Sequence, residues 1–214
     1  ETEWILFFFS EFAKYPFTKF HKKAIKRITT NMEWYEVLSW SRELAKSTIV
    51  FMCMMYLVLT GKKKNVLLIS NSHENAVRLL EPYKKAFESN SMLKAYYGDL
   101  REFGSWTADE FTLTTGATFR AIGALESPRG TRKDAVRPDT ALVDDFDTDA
   151  DCRNPDILKK KWEWFEEALF PTRSISEDLL VIFCGNLIAL DCCVKRAGDK
   201  ADPVSYTHLR AHET

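Results

Sequence analysis

Short apolar runs alternate along this chain with longer segments of helical period. Runs rich in β-branched and aromatic residues predict strands at 34–39, 66–70, 140–143 and 179–183. The run 179–183 is apolar throughout and the run 66–70 is apolar up to Ser70, which is typical of strands covered on both faces. Such strands belong to parallel sheets between helices.

Helical patterns fill the intervals between these runs. They predict helices at 4–30 with a break at Pro16 and a restart near Lys19, at 47–60, at 74–89 and at 155–169. Thr115-Gly116 separates two β-rich runs, 110–114 and 118–122, and predicts a β-hairpin. We therefore expect an α/β fold. It would have a mainly parallel sheet flanked by helices and a hairpin insertion.

Composition narrows the class of protein. The 214 residues are 45% hydrophobic with a net charge of −1, which excludes a disordered chain and a uniformly basic surface, although not a local basic patch. The longest apolar run, Ile49 to Leu59, is shorter than the about 20 residues that cross a bilayer. The five cysteines form no C-x-x-C pair and favour reduced, buried thiols. We expect a soluble intracellular protein.

The segment from Ser39 to Thr48 lies between a predicted strand and a predicted helix. Its Lys46-Ser47 ending fits a phosphate-binding (Walker A) loop, in which backbone N–H groups and the helix N-terminus surround an oxyanion. The lysine reaches the β and γ phosphates and the hydroxyl binds Mg²⁺. Trp40 and Ala45 replace the two glycines of the pattern, so an ordinary strand-to-helix turn remains the alternative.

Two carboxylates, Asp144 and Asp145, directly follow the apolar strand 141–143. They lie about 100 residues after the Lys46-Ser47 loop. This is the Walker B arrangement, in which one carboxylate helps to hold hydrated Mg²⁺ and the next polarises the attacking water. Asp145 stands where glutamate is more usual. The alternative is a solvated acidic loop.

Asn186 follows a third strand end and could sense the γ-phosphate. Ligands of open parallel sheets bind at the carboxyl ends of the strands, so the three motifs are expected to converge there.

These motifs together carry a family resemblance from about residue 15 to 200. In order they are SRELAKS at 41–47, VLLISNSHENA, Tyr97-Gly98-Asp99, FTLTTGATFRAIGALESPRGTR, and Arg137-Pro138-Asp139 leading into LVDDFD. The chain resembles the ATPase domain of a tailed-phage terminase large subunit. Phosphate loops of that family often depart from the glycine pattern and carry an arginine before the lysine, which Arg42 matches. Ala45 and Asp145 are further departures.

The resemblance implies an α/β fold of the P-loop NTPase type, ATP and Mg²⁺ as cofactors, and a role for each matching residue. Lys46 would bind phosphate, Ser47 and Asp144 would bind Mg²⁺, Asp145 would orient water, and Asn186 would couple hydrolysis to movement. Arg42 would act in cis on the γ-phosphate, and Arg129 or Arg132 would act in trans on a neighbouring subunit's nucleotide. The other expected nucleotide contacts are Ser41, Ala45 and Thr48 around the loop and Phe20 near the adenine.

The same resemblance implies partners and a setting. We expect double-stranded DNA, a phage portal, a small terminase subunit and a homo-oligomeric ring, in the cytoplasm of an infected bacterial host. Basic clusters at 22–27, 62–64 and 159–161 suit DNA phosphates, although solvated helix ends would look the same. A helicase-like ATPase and a degenerate nucleotide-binding module stay open as alternatives.

The chain ends have their own expectations. Residues 1–203 are expected to form one truncated ATPase domain that lacks the nuclease domain of a full terminase. Residues 204–214 resemble a translated sequencing adapter, and we expect this tail to be irregular.

Overall fold

The computed structural model describes residues 1–13, 15–41, 43–127, 137–169, 171, 178–201 and 206–209. Its helices are α1 (Thr2–Phe8), α2 (Lys19–Thr30), α3 (Lys46–Leu59), α4 (His73–Ser89), α5 (Ser91–Tyr97), α6 (Asp149–Cys152), α7 (Pro155–Glu163) and α8 (Cys193–Lys200). A short 3₁₀ turn covers Ser10–Phe12, and α7 continues into a π-helical segment, Trp164–Leu169. The strands are β1 (Trp34–Trp40), β2 (Asn65–Ser70), β3 (Arg101–Trp106), β4 (Glu110–Leu113), β5 (Thr118–Gly123), β6 (Thr140–Asp144), β7 (Leu180–Cys184) and β8 (Tyr206–Leu209).

The strands form one sheet in the order β3-β4-β5-β2-β6-β7-β1-β8. Every pair from β5 to β8 is parallel, whereas β3, β4 and β5 pair antiparallel. The predicted α/β class, the mainly parallel sheet and the hairpin between β4 and β5 are confirmed.

Two apolar layers cover the central strands. Alternate residues of the strands face α1 to α5 on one side, as Leu38 and Leu68 do, while Val37 and Ile69 face α7 and α8 on the other. The helix α3 is apolar around most of its circumference because it lies buried between the sheet and its neighbours, with Met52 and Met54 fully enclosed. The sheet thereby fixes the positions of the strand ends.

Strand β3 is one element that the hydrophobic pattern did not predict. Four of its six residues are exposed because it is the outer strand of the sheet, so no alternation marks it. The short helices α5, α6 and α8 were also not predicted. An Asn90 side chain that accepts a hydrogen bond from the Leu93 N–H marks the start of α5.

The prediction of an irregular tail is wrong for Tyr206–Leu209, which pairs with β1 as a parallel strand. The reason is that the outer edge of β1 offers backbone N–H and C=O groups to any extended segment, whatever its side chains. The adapter origin of this segment stays a prediction.

The five cysteines are free thiols, and Cys53, Cys184, Cys192 and Cys193 are buried, as the sequence predicted. Among the residues that the structure describes, no helix combines the length and the apolar character that crossing a bilayer demands.

Candidate active site

The candidate site lies where three neighbouring parallel strands end. Strands β6, β7 and β1 are adjacent, and Asp144 at the end of β6 lies opposite Cys184 at the end of β7. Because all three run in the same direction, the segments that follow them emerge at one edge of the sheet. These segments are Asp145 after β6, Gly185-Asn186 after β7 and the loop 41–45 after β1.

Two hydrogen bonds join the predicted motifs. The Lys46 ammonium donates to the Asn186 side-chain oxygen at 3.3 Å. The Ser47 hydroxyl donates to the Asp144 carboxylate at 2.7 Å. Residues far apart in the sequence therefore meet as the strand-end argument predicted, with Lys46 and Ser47 in the first turn of α3, at its positive end.

Asp144 is a buried carboxyl group, 8% exposed. Burial raises its pKa from 3.8 to about 6, the neighbouring Asp145 charge adds to the rise, and the Ser47 hydrogen bond and the Lys46 charge oppose it. A buried carboxylate of this kind is stabilised by a cation beside it.

The donor set fits Mg²⁺, which prefers oxygen ligands and keeps several waters. Ser47 and Asp144 supply a hydroxyl and a carboxylate within hydrogen-bond distance of each other. Within the described ranges, no group of three or more His, Cys, Asp or Glu side chains forms a dedicated metal cage. Mg²⁺ at this place would thus depend on water and on the phosphates of a nucleotide for its other ligands.

The candidate phosphate-binding loop contains no glycine, and among its described residues Glu43 and Ala45 have strained backbone. Trp40 belongs to β1 with extended backbone and is 1% exposed, so the first missing glycine causes no strain. Glu43 and Ala45 instead adopt positive φ angles of 71° and 56°. Each is a conformation that costs a side-chain-bearing residue about 1–2 kcal/mol.

Contacts from α2 reach this loop. The ring of Phe20 packs edge-on against Trp40 at 5.0 Å between centroids. His21 bonds the Leu44 carbonyl oxygen through Nε2 at 3.0 Å. Phe20 thus lies beside the loop, and its contact with the adenine stays a prediction. The histidine contact was not predicted, because it joins residues from separate elements and has no sequence signature.

Asp145 and Asn186 line one cavity of about 290 Å³, together with Asn71 at the end of β2. Asp145 is exposed and its φ is +47°. The Ser70 hydroxyl donates to the Asp145 carbonyl at 3.4 Å. Ser70 and Asn71 were not predicted, although the end of another buried parallel strand was the signal that could have found them.

The other predicted nucleotide contacts lie in or beside the loop or outside the described residues. Ser41 is the first residue of the loop and Thr48 lies in the first turn of α3. Both are half-buried, and Ala45 is exposed. The three predicted arginines, Arg42, Arg129 and Arg132, lie outside the described residues.

Two lysines of the basic clusters are buried inside the fold. Lys63 is buried and donates to the carbonyls of Asp139 and Asp178, at 3.1 and 2.6 Å. Lys161 is buried against Asp151 at 2.8 Å. The expectation that these two lysines contact DNA is therefore wrong, because internal oxygens already occupy them.

At the level of sequence, no family model and no curated protein matches the chain. At the level of structure, it is similar to the large terminase ATPase domain of Thermus phage P74-26. A solved alanine variant of that domain superimposes with a TM-score of 0.57 at 14% identity, covering 86% of this chain and 70% of that chain. A second solved structure of that domain gives a TM-score of 0.50 at 15% identity, covering 82% of this chain and 67% of that chain. This chain has the fold of a phage large terminase ATPase domain.

Proposed function

We propose that this chain is the ATP-hydrolysing motor domain of a phage terminase large subunit, which drives double-stranded DNA into a capsid. The observation that carries the proposal is the meeting of Lys46, Ser47, Asp144 and Asn186 at the carboxyl edge of the parallel sheet. The similarity of the fold to terminase ATPase domains supports the same conclusion.

Nucleotide binding follows from the first turn of α3. The helix N-terminus and the Lys46 ammonium both attract the negative phosphates. Ser47 and Asp144 would hold Mg²⁺, which neutralises phosphate charge when it is bound. Phe20 lies beside Trp40, on the side of the loop where the adenine would stack.

Hydrolysis needs a group that orients water, and the exposed Asp145 carboxylate beside the cavity suits that task. Asn186 contacts Lys46 directly, so a change at the phosphates would reach β7 through this pair. The arginine roles rest on the resemblance: Arg42 acting in cis and Arg129 or Arg132 in trans.

The partners follow from the same proposal. Lys22, Lys23 and Lys26 project from the exposed face of α2 and would contribute sequence-independent contacts to DNA phosphates. A ring of copies would dock on a phage portal with a small terminase subunit, in the cytoplasm of the infected bacterial host.

The test is phosphate release from Mg-ATP by the whole chain. Lys46→Ala should lower the rate by at least about 100-fold, because it removes a charge that the phosphates need. Lys85→Ala, on the exposed face of α4, is the matched control and should leave the rate unchanged. Tight ATP binding without turnover, unaffected by Asp145→Asn, would instead support a degenerate nucleotide-binding module.

A further inference from the structure

We propose that His21 is a positioning residue, a clamp that holds Ala45 of the phosphate-binding loop in a left-handed conformation where the motif pattern has a glycine. The inference rests on the proposed function, because it names what holds that site in shape.

The hydrogen bonds of His21 fix where its ring carries the proton. The Thr18 backbone N–H, which can only donate, points at Nδ1 at 3.4 Å, and the Thr18 hydroxyl lies 3.1 Å from the same atom. Nδ1 is therefore the acceptor, and in the neutral ring the proton is on Nε2. Nε2 donates it to the Leu44 carbonyl oxygen at 3.0 Å.

The ring is held in place by its surroundings. It packs against Phe20 at 4.1 Å and against Trp40 at 5.6 Å between centroids. Burial lowers the pKa of His21, outweighing the opposite effect of the Leu44 hydrogen bond, and so favours the neutral ring.

Helix α2 is itself anchored to β1. Arg27 Nε contacts both carboxylate oxygens of the fully buried Glu36 at 3.0 Å. The Trp34 indole donates to the same carboxylate at 2.7 Å. Helix α2, which carries His21, is therefore fixed to the strand that leads into the loop.

The clamp acts at the strained part of the loop. Leu44 lies between Glu43 and Ala45, and both of these neighbours have positive φ angles. Strained backbone conformations persist only where surrounding contacts hold them in place. The free energy of one hydrogen bond is of the same order as the strain energy of one such residue. Without the bond from His21, Ala45 would relax, and the first turn of α3 with Lys46 would move away from the phosphates.

The experiment is a double-mutant cycle read by Mg-ATP affinity. His21→Leu should weaken binding about tenfold, which is the effect of losing about one good hydrogen bond. Ala45→Gly removes the strain, because glycine adopts positive φ freely. In the Ala45→Gly background, His21→Leu should therefore weaken binding by less than about twofold.

Two further variants separate positioning from folding. His21→Gln can donate to Leu44 and accept from Thr18, so its affinity should stay within about threefold of the unchanged chain. His73→Leu is the matched control, since it removes an exposed histidine that pairs with Glu126. It should leave ATP affinity unchanged.

Three results would overturn the clamp. These are an unchanged affinity in His21→Leu, an equal loss with and without Ala45→Gly, and a His21 ring that carries its proton on Nδ1 in nitrogen NMR of the nucleotide-free chain. The NMR measurement decides the clamp even if ATP does not bind. Failure of the unchanged chain to bind ATP would refute the proposed function, and the NMR result would still stand on its own.

Discussion

Replacing Asp144 by asparagine should stabilise the nucleotide-free chain while abolishing Mg²⁺-dependent ATP binding. Folding raises the pKa of this carboxyl group from 3.8 to about 6, chiefly by burial. Each pKa unit corresponds to about 1.4 kcal/mol, so carrying the charge at pH 8 costs the folded state about 3 kcal/mol. Asparagine keeps the shape and a hydrogen-bond partner for Ser47 but carries no charge.

The sign of the pH dependence follows from linkage. Between pH 3.8 and about 6 the folded protein holds a proton that the unfolded chain has released. The free energy of unfolding contributed by this group therefore falls as pH rises through that window. The gain from Asp144→Asn should be about 3 kcal/mol at pH 8, about 1.5 kcal/mol at pH 5 and small below pH 4.

Urea unfolding followed by circular dichroism at pH 8 and pH 5 measures this gain. Asp145→Asn is the matched control, because its carboxylate is exposed and removing it should change stability by less than about 1 kcal/mol. Loss of stability in Asp144→Asn at pH 8, or a gain that does not depend on pH, would refute the reasoning.

Three further predictions concern the same region. Mg-ATP affinity should fall up to about tenfold per pH unit below pH 6, because a proton competes with the metal for Asp144, and calorimetric titration at pH 7.5 and 5.5 would show it. Glu36→Gln should lower the free energy of unfolding by about 3–5 kcal/mol, since it leaves Arg27 without its buried charge partner, whereas Glu74→Gln at an exposed ion pair should cost less than about 1 kcal/mol in the same urea titration. Ala45→Gly should raise the thermal midpoint by a few degrees, because it relieves about 1 kcal/mol of strain, and an unchanged or lower midpoint in differential scanning calorimetry would contradict that.

Much of the fold follows from local patterns. Buried strands such as β2 and β7 are marked by consecutive apolar residues, and α4 by its helical period and the Ser72 cap, which accepts from the Asn75 N–H. Strand β3 and the paired segment Tyr206–Leu209 carry no such mark. Both segments form strands because a neighbouring strand offers unpaired backbone groups at its edge. That edge is a property of the sheet and not of the segment's own sequence.

The site divides in the same way. Lys46, Ser47 and Asp144 could be placed together from sequence, because parallel strand ends share one edge of the sheet. The hydrogen bond from His21 to Leu44 could not, since it depends on how α2 packs against the end of β1. The glycine pattern marks Trp40 and Ala45 as the left-handed positions. Of these two, only Ala45 has a positive φ angle, since Trp40 continues β1, and the pattern does not mark Glu43.

The central claim is that Lys46, Ser47 and Asp144 form one Mg-ATP site. A crystal structure of the chain with Mg²⁺ and a non-hydrolysable ATP analogue tests it most directly. The account predicts phosphate oxygens at hydrogen-bond distance from Lys46 Nζ, and a metal ion about 2.1 Å from Ser47 Oγ, with Asp144 holding it directly or through water. A nucleotide bound away from the first turn of α3, or a metal ion that avoids both oxygens, would contradict it.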